Sequence, residues 1–203
     1  MSAPSPRRQG RPPAMADMRG HILDVAAQVF ARGGYDGSSL AELAVACQMT
    51  KPAIYHYFPS KQDILDALIL RTLDSLLANG RAALGPPGDA AGDLRRLMLA
   101  HARFFEANFH AFSAMLAGFG SMATRLQADD ARRIRAEYEE MVRDCIRRAI
   151  AEGTFRDVDV ADAGRAILSL LNWMGRWYQP GGPRSAEDFA ARYYEMFVAG
   201  LRA

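Results

Sequence analysis

Two lysines and two tyrosines close together in the stretch TKPAIYHYFPSK carry the clearest chemistry in this sequence. Lys51, Tyr55, Tyr57 and Lys61 offer ammonium and phenolic donors at short spacing, a set suited to the phosphate oxygens of a polyanion. The other reading is a solvated face with Tyr55 packed beneath its own helix, and residue types alone leave both open. Lys51 and Lys61 are the chain's two lysines. Residues 1–61 hold seven basic side chains against four acidic ones, so they carry +3 of a chain whose net charge is +2. Enzyme chemistry has less to stand on. His21, His56, His101 and His110 are scattered, and neither metal-ligand spacing nor a phosphate-cradling glycine loop is present. Cys47 and Cys145 fall at apolar helical positions and read as buried thiols, so no metal and no cofactor is expected.

Those donors need elements to position them. Ser39 stands three residues before Glu42, the spacing of a capping box, and Leu40, Leu43, Ala44 and Cys47 lay a small apolar stripe along the helix that follows. Thr50 offers a second N-cap, and Pro52 falls in a first turn, where its missing N–H costs nothing. Pro59 closes this second helix, and Ser60 with Asp63 opens a third. A helix as short as the middle one is not stable alone and must be held by neighbours. Ile54 and Phe58 face inward, leaving Lys51, Pro52, Tyr55, His56 and Tyr57 outward or sideways.

Gly34-Tyr35, Ser38-Ser39-Leu40, Leu43-Ala44, Thr50-Lys51, Ile54-Tyr55, Tyr57-Phe58 and Lys61 together resemble the DNA-binding signature of the TetR family of transcriptional regulators over residues 17–64. The resemblance implies that the second helix of the pair enters the major groove of double-stranded DNA. It implies that Lys51, Pro52, Ala53, Tyr55 and Tyr57 are the contacts from that helix, and that Ser39 and Lys61 contact phosphates. One position departs from the pattern: Gln48 stands where the turn usually carries glycine, so it must adopt a left-handed conformation or the turn must differ.

The remainder reads as all-α, with no strand pattern. Residues 1–16 are expected to be a disordered basic arm; Arg7 to Pro13 resembles a minor-groove-inserting element, with a solubilising tail as the alternative. Met18, Ile22, Val25, Val29 and Phe30 mark a buttress helix stopped by Gly33-Gly34, completing a three-helix helix-turn-helix DNA-binding domain over residues 17–61. A larger helical effector-binding and dimerisation domain is expected over 62–203, with a helix over 60–84 bridging the two. A helical pattern resumes at Asp93 and runs through a stretch dense in Phe and Met. A charged helix spans Thr124 to Glu152, and two more begin at Asp159 and Ser185. No apolar run is long enough to cross a bilayer, so a cytoplasmic protein without membrane partners is expected.

Phe104, Met115 and Phe119 can line an adaptable apolar cavity or simply fill core. Leu171 to Tyr178 with Pro180-Gly181-Gly182-Pro183 resembles a pattern of TetR-type regulators that respond to acyl-CoA thioesters. That resemblance implies a hydrophobic small-molecule effector held by Trp173, Arg176 and Trp177; plain packing of the tryptophans is the alternative. The last two helices suit a homodimer, which would read an inverted-repeat operator with half-sites about 34–36 Å apart. The sequence therefore points to a ligand-responsive regulator of the repressor type. A ligand-sensing adaptor without DNA binding stays open, as does, less readily, an all-α enzyme.

Overall fold

Serine, threonine and aspartate caps set where the helices start. In the computed structural model, which describes residues 15–86, 88–118 and 127–201, side-chain oxygens of Ser39, Thr50, Ser60, Asp89, Asp159 and Ser185 each accept a backbone N–H three residues on. Ser185 and Asp188 form the full two-way capping box. The described elements are α1 (Met15–Gly33), α2 (Leu40–Ala46), α3 (Lys51–Tyr57), α4 (Lys61–Ala83), α5 (Ala90–Ala107), α6 (Phe109–Gly118), α7 (Gln127–Ala151), α8 (Val160–Trp177) and α9 (Ala186–Ala199). No strand occurs among the described residues. The all-α expectation holds, with an N-terminal helix-turn-helix domain followed by a helical C-terminal domain.

Helix α4 joins the two. Ile64, Leu65, Leu68, Ile69, Thr72 and Leu76, the stripe expected from sequence, are all buried, as are Leu73 and Leu77. Each fully buried Leu or Ile contributes about 1.5–3 kcal/mol, so this helix, about 34 Å long, is held along its length rather than hinged in the middle. It packs on α1, α5, α6 and α7. Arg71 ties α4 to α1 through Asp24 at 2.7 Å and the Gly20 carbonyl at 3.4 Å.

Helix α5 is the centre of the C-terminal domain, in contact with α4, α6, α7, α8 and α9. It starts at Ala90 rather than Asp93, because Asp89 is the cap and Asp93 is spent elsewhere. The buried Asp93 carboxylate accepts from the Gly85 N–H at 2.7 Å, Arg96 at 2.6 Å and Arg148 at 3.1 Å, pinning the Gly85 loop against α7. The Phe-rich stretch is two helices, not one. At Asn108 the backbone N–H and the side-chain amide both donate to the Phe104 carbonyl, at 3.0 and 2.9 Å, and the chain turns into α6. Most of the basic arm, including Arg7, Arg8 and Arg11, lies outside the described residues, as do Phe119 and the start expected for the charged helix at Thr124. Met15 and Ala16, expected in the arm, belong to α1.

Candidate nucleic-acid interface and effector cleft

Helix α3 is held from behind and bare in front. Ile54 and Phe58 are fully buried, and Arg19 of α1 donates to the Tyr57 carbonyl at 2.5 Å while its guanidinium lies 4.2 Å over the Phe58 ring. Lys51 and Pro52 are exposed, Tyr55 is 45% exposed, and Ala53 and Tyr57 are half-buried, Tyr57 standing edge-on to His56. The structure thus brings Lys51, Pro52, Ala53, Tyr55 and Tyr57 together on one short helix, with the exposed Ser39 at the start of α2. The turn before α3 answers the question posed by Gln48. Its φ is +55°, while Gln48 N–H donates to Val45 and Met49 N–H to Ala44, the paired bonds of a Schellman stop. Gln48 takes the left-handed conformation that glycine would take without steric cost.

Lys61 is placed differently from the other donors. Its ammonium donates to the carbonyls of Tyr35 at 2.7 Å and Ser38 at 2.8 Å, and sits 4.2 Å over the Tyr35 ring. Two of its three hydrogens therefore fasten the α1–α2 loop to α4, leaving one for a phosphate.

Helix α8 meets α6 and α7 along three adjoining cavities. The largest, about 730 Å³, is a cleft between α6 and α8 bordered by Ser113, Leu116, Trp173, Gly175 and Arg176. A second of about 240 Å³ lies between α7 and α8, beside Arg135, Arg143 and Arg165. A third, about 80 Å³, reaches inward to His101, Met115 and Tyr138. Asn172 borders all three. Of the residues expected to hold an effector, Trp173, Arg176 and Met115 surround these spaces, and the Arg176 guanidinium lies 5.7 Å from the Trp173 ring centroid. Phe104 instead borders a separate cleft with Asp24, Arg71 and Asn108. Trp177 points toward α9, edge-on to Phe189 at 4.8 Å. Another depression of about 670 Å³ between α4 and α7 is wide open, and its rim charges Arg81, Arg133 and Glu137 already pair with one another.

Burial sets the chemistry of the innermost cavity. His101 is 1% exposed, and desolvation lowers its pKa to about 4, so the ring is neutral at physiological pH. Its Nδ1 lies 3.0 Å from the Tyr138 hydroxyl, whose pKa burial pushes well above the usual phenol value. The partner of His101 is 37 positions away in the chain, and nothing local announces it. Asn172 and Gly175 lie within the Leu171–Tyr178 pattern, but residue type alone does not single them out.

Residues 22–68 match the family described as bacterial regulatory proteins, tetR family, and residues 87–201 match the tetracyclin repressor-like C-terminal domain, more than half of the chain. The chain belongs to the TetR family of transcriptional regulators. The HTH-type transcriptional repressor KstR2 of Mycobacterium tuberculosis is 30% identical over 193 residues, covering 90% of this chain and 92% of the relative. The crystal structure of PfmR, a TetR-family regulator from Thermus thermophilus, superposes with a TM-score of 0.84 at 42% identity, covering 90% of this chain and 99% of that one. AibR, solved in complex with isovaleryl coenzyme A and operator DNA, shares the fold with a TM-score of 0.78 at 22% identity, covering 88% and 97% of the two chains.

In this TetR-family regulator, α6 stands between the cleft and the DNA-binding helices. Leu116 borders the cleft, where a Cβ on Gly175 would meet its Cδ1 at 2.8 Å. Two residues further, a Cβ on Gly118 would lie 3.0 Å from Ile69 Cδ1 and 3.1 Å from Leu65 Cδ1, both on α4. Helix α6 also packs on α1. An occupant that wedges α6 away from α8 must therefore press on the helices that carry the reader.

Proposed function

We propose that this protein is a homodimeric repressor of an inverted-repeat operator, released when an acyl-CoA thioester fills the α6–α8 cleft. The observation that carries the reading is the position of α6, with the cleft on one side and α1 and α4 on the other. The effector class is supported by an apolar wall beside the Arg176 guanidinium, suited to an acyl chain joined to phosphates. It agrees with the isovaleryl coenzyme A named for AibR, which shares this fold, and the repressor direction agrees with the KstR2 relatives.

Dimer contacts are assigned to α8 and α9, where Leu170, Trp177 and Met196 are exposed apolar side chains. Two α3 helices then read half-sites about one turn, roughly 34 Å, apart. Lys51, Pro52, Ala53, Tyr55 and Tyr57 meet the groove, and Ser39 and Lys61 meet phosphates. An adaptor that never binds DNA would have that face covered; the exposure of Lys51 and Tyr55 favours the regulator. We place the protein in the cytoplasm with its operator.

The test is an anisotropy titration against DNA upstream of the protein's own gene at two salt concentrations, with wild type, Tyr55→Ala, Trp173→Ala and Arg176→Ala, with and without octanoyl-CoA. Expected are salt-sensitive binding weakened by Tyr55→Ala, release by the thioester, and loss of release without loss of DNA binding in the two cleft variants. Release that persists in both cleft variants would remove the cleft from the mechanism.

A further inference from the structure

His101 has one ring nitrogen in use and one left over. Nδ1 is engaged by Tyr138, whereas Nε2 is buried and has no hydrogen-bond partner among the described residues. A native interior rarely leaves such a group unmatched, and an orphan in a cavity wall marks a place where something polar is received. The cavity that His101 borders is where α4, α5, α6, α7 and α8 come together, represented by Leu76, His101, Met115, Tyr138 and Leu168.

The direction of the Tyr138 hydrogen bond decides which tautomer is present. The buried Tyr138 hydroxyl has His101 as its hydrogen-bond partner among the described residues, so if Nδ1–H donated to it, both the phenolic hydrogen and Nε2 would lack a protein partner. If the phenol donates to Nδ1, the imidazole proton resides on Nε2, and that N–H alone lacks a protein partner. The phenol is also the more acidic donor, which favours the same direction. Held between Phe112 and Tyr138, each edge-on at 5.4 and 5.6 Å, the ring is fixed and remains neutral. The unmatched atom is therefore an N–H donor, and its proper occupant is a hydrogen-bond acceptor.

We propose that His101 Nε2–H donates a hydrogen bond to the carbonyl oxygen of the effector's acyl group, and so selects thioesters over ligands of the same shape that lack the carbonyl. The inference rests on the acyl-CoA reading above. The cavity, about 80 Å³, has room for roughly two waters at about 30 Å³ each. It accommodates the carbonyl and the adjoining carbons against Leu76, Met115 and Leu168, with Arg135 and Glu139 also in its lining, and the rest of the ligand passes Asn172 into the larger cleft. In the ligand-free protein a water can satisfy Nε2–H, and the carbonyl displaces it. Because Leu76 belongs to α4, the acyl group lodges directly against the helix that leads to the reader.

Calorimetric titration of the dimer with butanoyl-, octanoyl- and dodecanoyl-CoA, each paired with the S-alkyl-CoA thioether of the same chain length, tests this. The expected result for wild type is that the best thioester binds about tenfold more tightly than its thioether, a difference typical of one hydrogen bond to a buried donor. His101→Phe abolishes that preference while binding the thioether within about twofold of wild type. Should His101→Phe fail to fold, ¹⁵N-histidine spectra of wild type decide: the Nε2 resonance of His101 moves on adding the thioester and not the thioether. Equal affinity within every pair, a preference that survives His101→Phe, or an Nε2 resonance that ignores the thioester overturns the carbonyl contact alone. If wild type binds no member of any pair, the acyl-CoA reading falls and this inference falls with it.

Discussion

Gly80 on α4 and Tyr138 on α7 meet so closely that a Cβ on Gly80 would lie 2.9 Å from Tyr138 Cε2. The same methyl would lie 2.8 Å from Met141 Cε, the end of a flexible side chain, and 3.1 Å from Leu97 Cδ1. Tyr138 cannot retreat freely, since its hydroxyl is engaged with His101. Replacing a helix-interior glycine by alanine normally gains about 1 kcal/mol, while overpacking costs about 1–3 kcal/mol. Here the cost wins. Gly80→Ala is expected to lower the stability of the chain by up to about 2 kcal/mol in a urea melt. Gly20→Ala, whose Cβ would meet nothing within 4 Å, is expected to raise it by about 1 kcal/mol.

Gln48 holds a φ of +55° at the stop of α2, in a place where a side chain brings strain and no packing, since Gln48 is exposed. Relief of that strain exceeds the backbone entropy lost by introducing glycine. Gln48→Gly is expected to stabilise the protein by about 0.5–1 kcal/mol with operator affinity unchanged, measured as the urea midpoint and by anisotropy.

Lys51 and Lys61 should separate by assay although both belong to the same basic patch. Lys51 is exposed, so Lys51→Ala is expected to leave the melting temperature alone and to weaken operator binding through loss of its groove contact. Lys61→Met removes two hydrogen bonds from a charged donor, and is expected to cost about 2 kcal/mol of stability and to weaken DNA binding as well. A Lys61→Met protein as stable as wild type would remove its clamp role.

The pH dependence of stability carries the signature of His101. Burial holds its pKa at about 4 in the folded chain against 6.5 when unfolded, so between those values the unfolded chain binds more protons. Stability is complete above pH 6.5 and falls as pH drops toward 4, by up to about 1.4 kcal/mol per unit and on the order of 3 kcal/mol in all. Asp93 acts lower. Burial pushes its carboxyl up, but the Gly85 N–H, Arg96 and Arg148 outweigh that and hold it below the ordinary 3.8, so its contribution is lost only below that pH. Urea midpoints of wild type and His101→Phe at pH 7.5 and 4.5 are expected to show a steep loss in the first and a much smaller one in the second.

The helical class and the starts of α2, α3, α4, α8 and α9 were legible in the sequence because they rest on chemistry within a few residues. A serine or aspartate accepting an N–H three positions on, a proline in a first turn, and apolar stripes such as Ile64 to Leu76 are local and periodic. What the tertiary structure decided depends on groups far apart in the chain. The Lys61 ammonium turns to carbonyls 26 and 23 positions away, where sequence offered only a phosphate contact. Phe104 and Trp177 carry the residue types of a pocket, yet face other neighbours, because helix rotation is set by packing on α4 and α9 rather than by spacing. The break at Asn108 left no glycine or proline to announce it. The innermost cavity has its polar edge because α5 and α7 bring His101 and Tyr138 together, so that the phenol occupies Nδ1 and leaves Nε2 without a protein partner among the described residues.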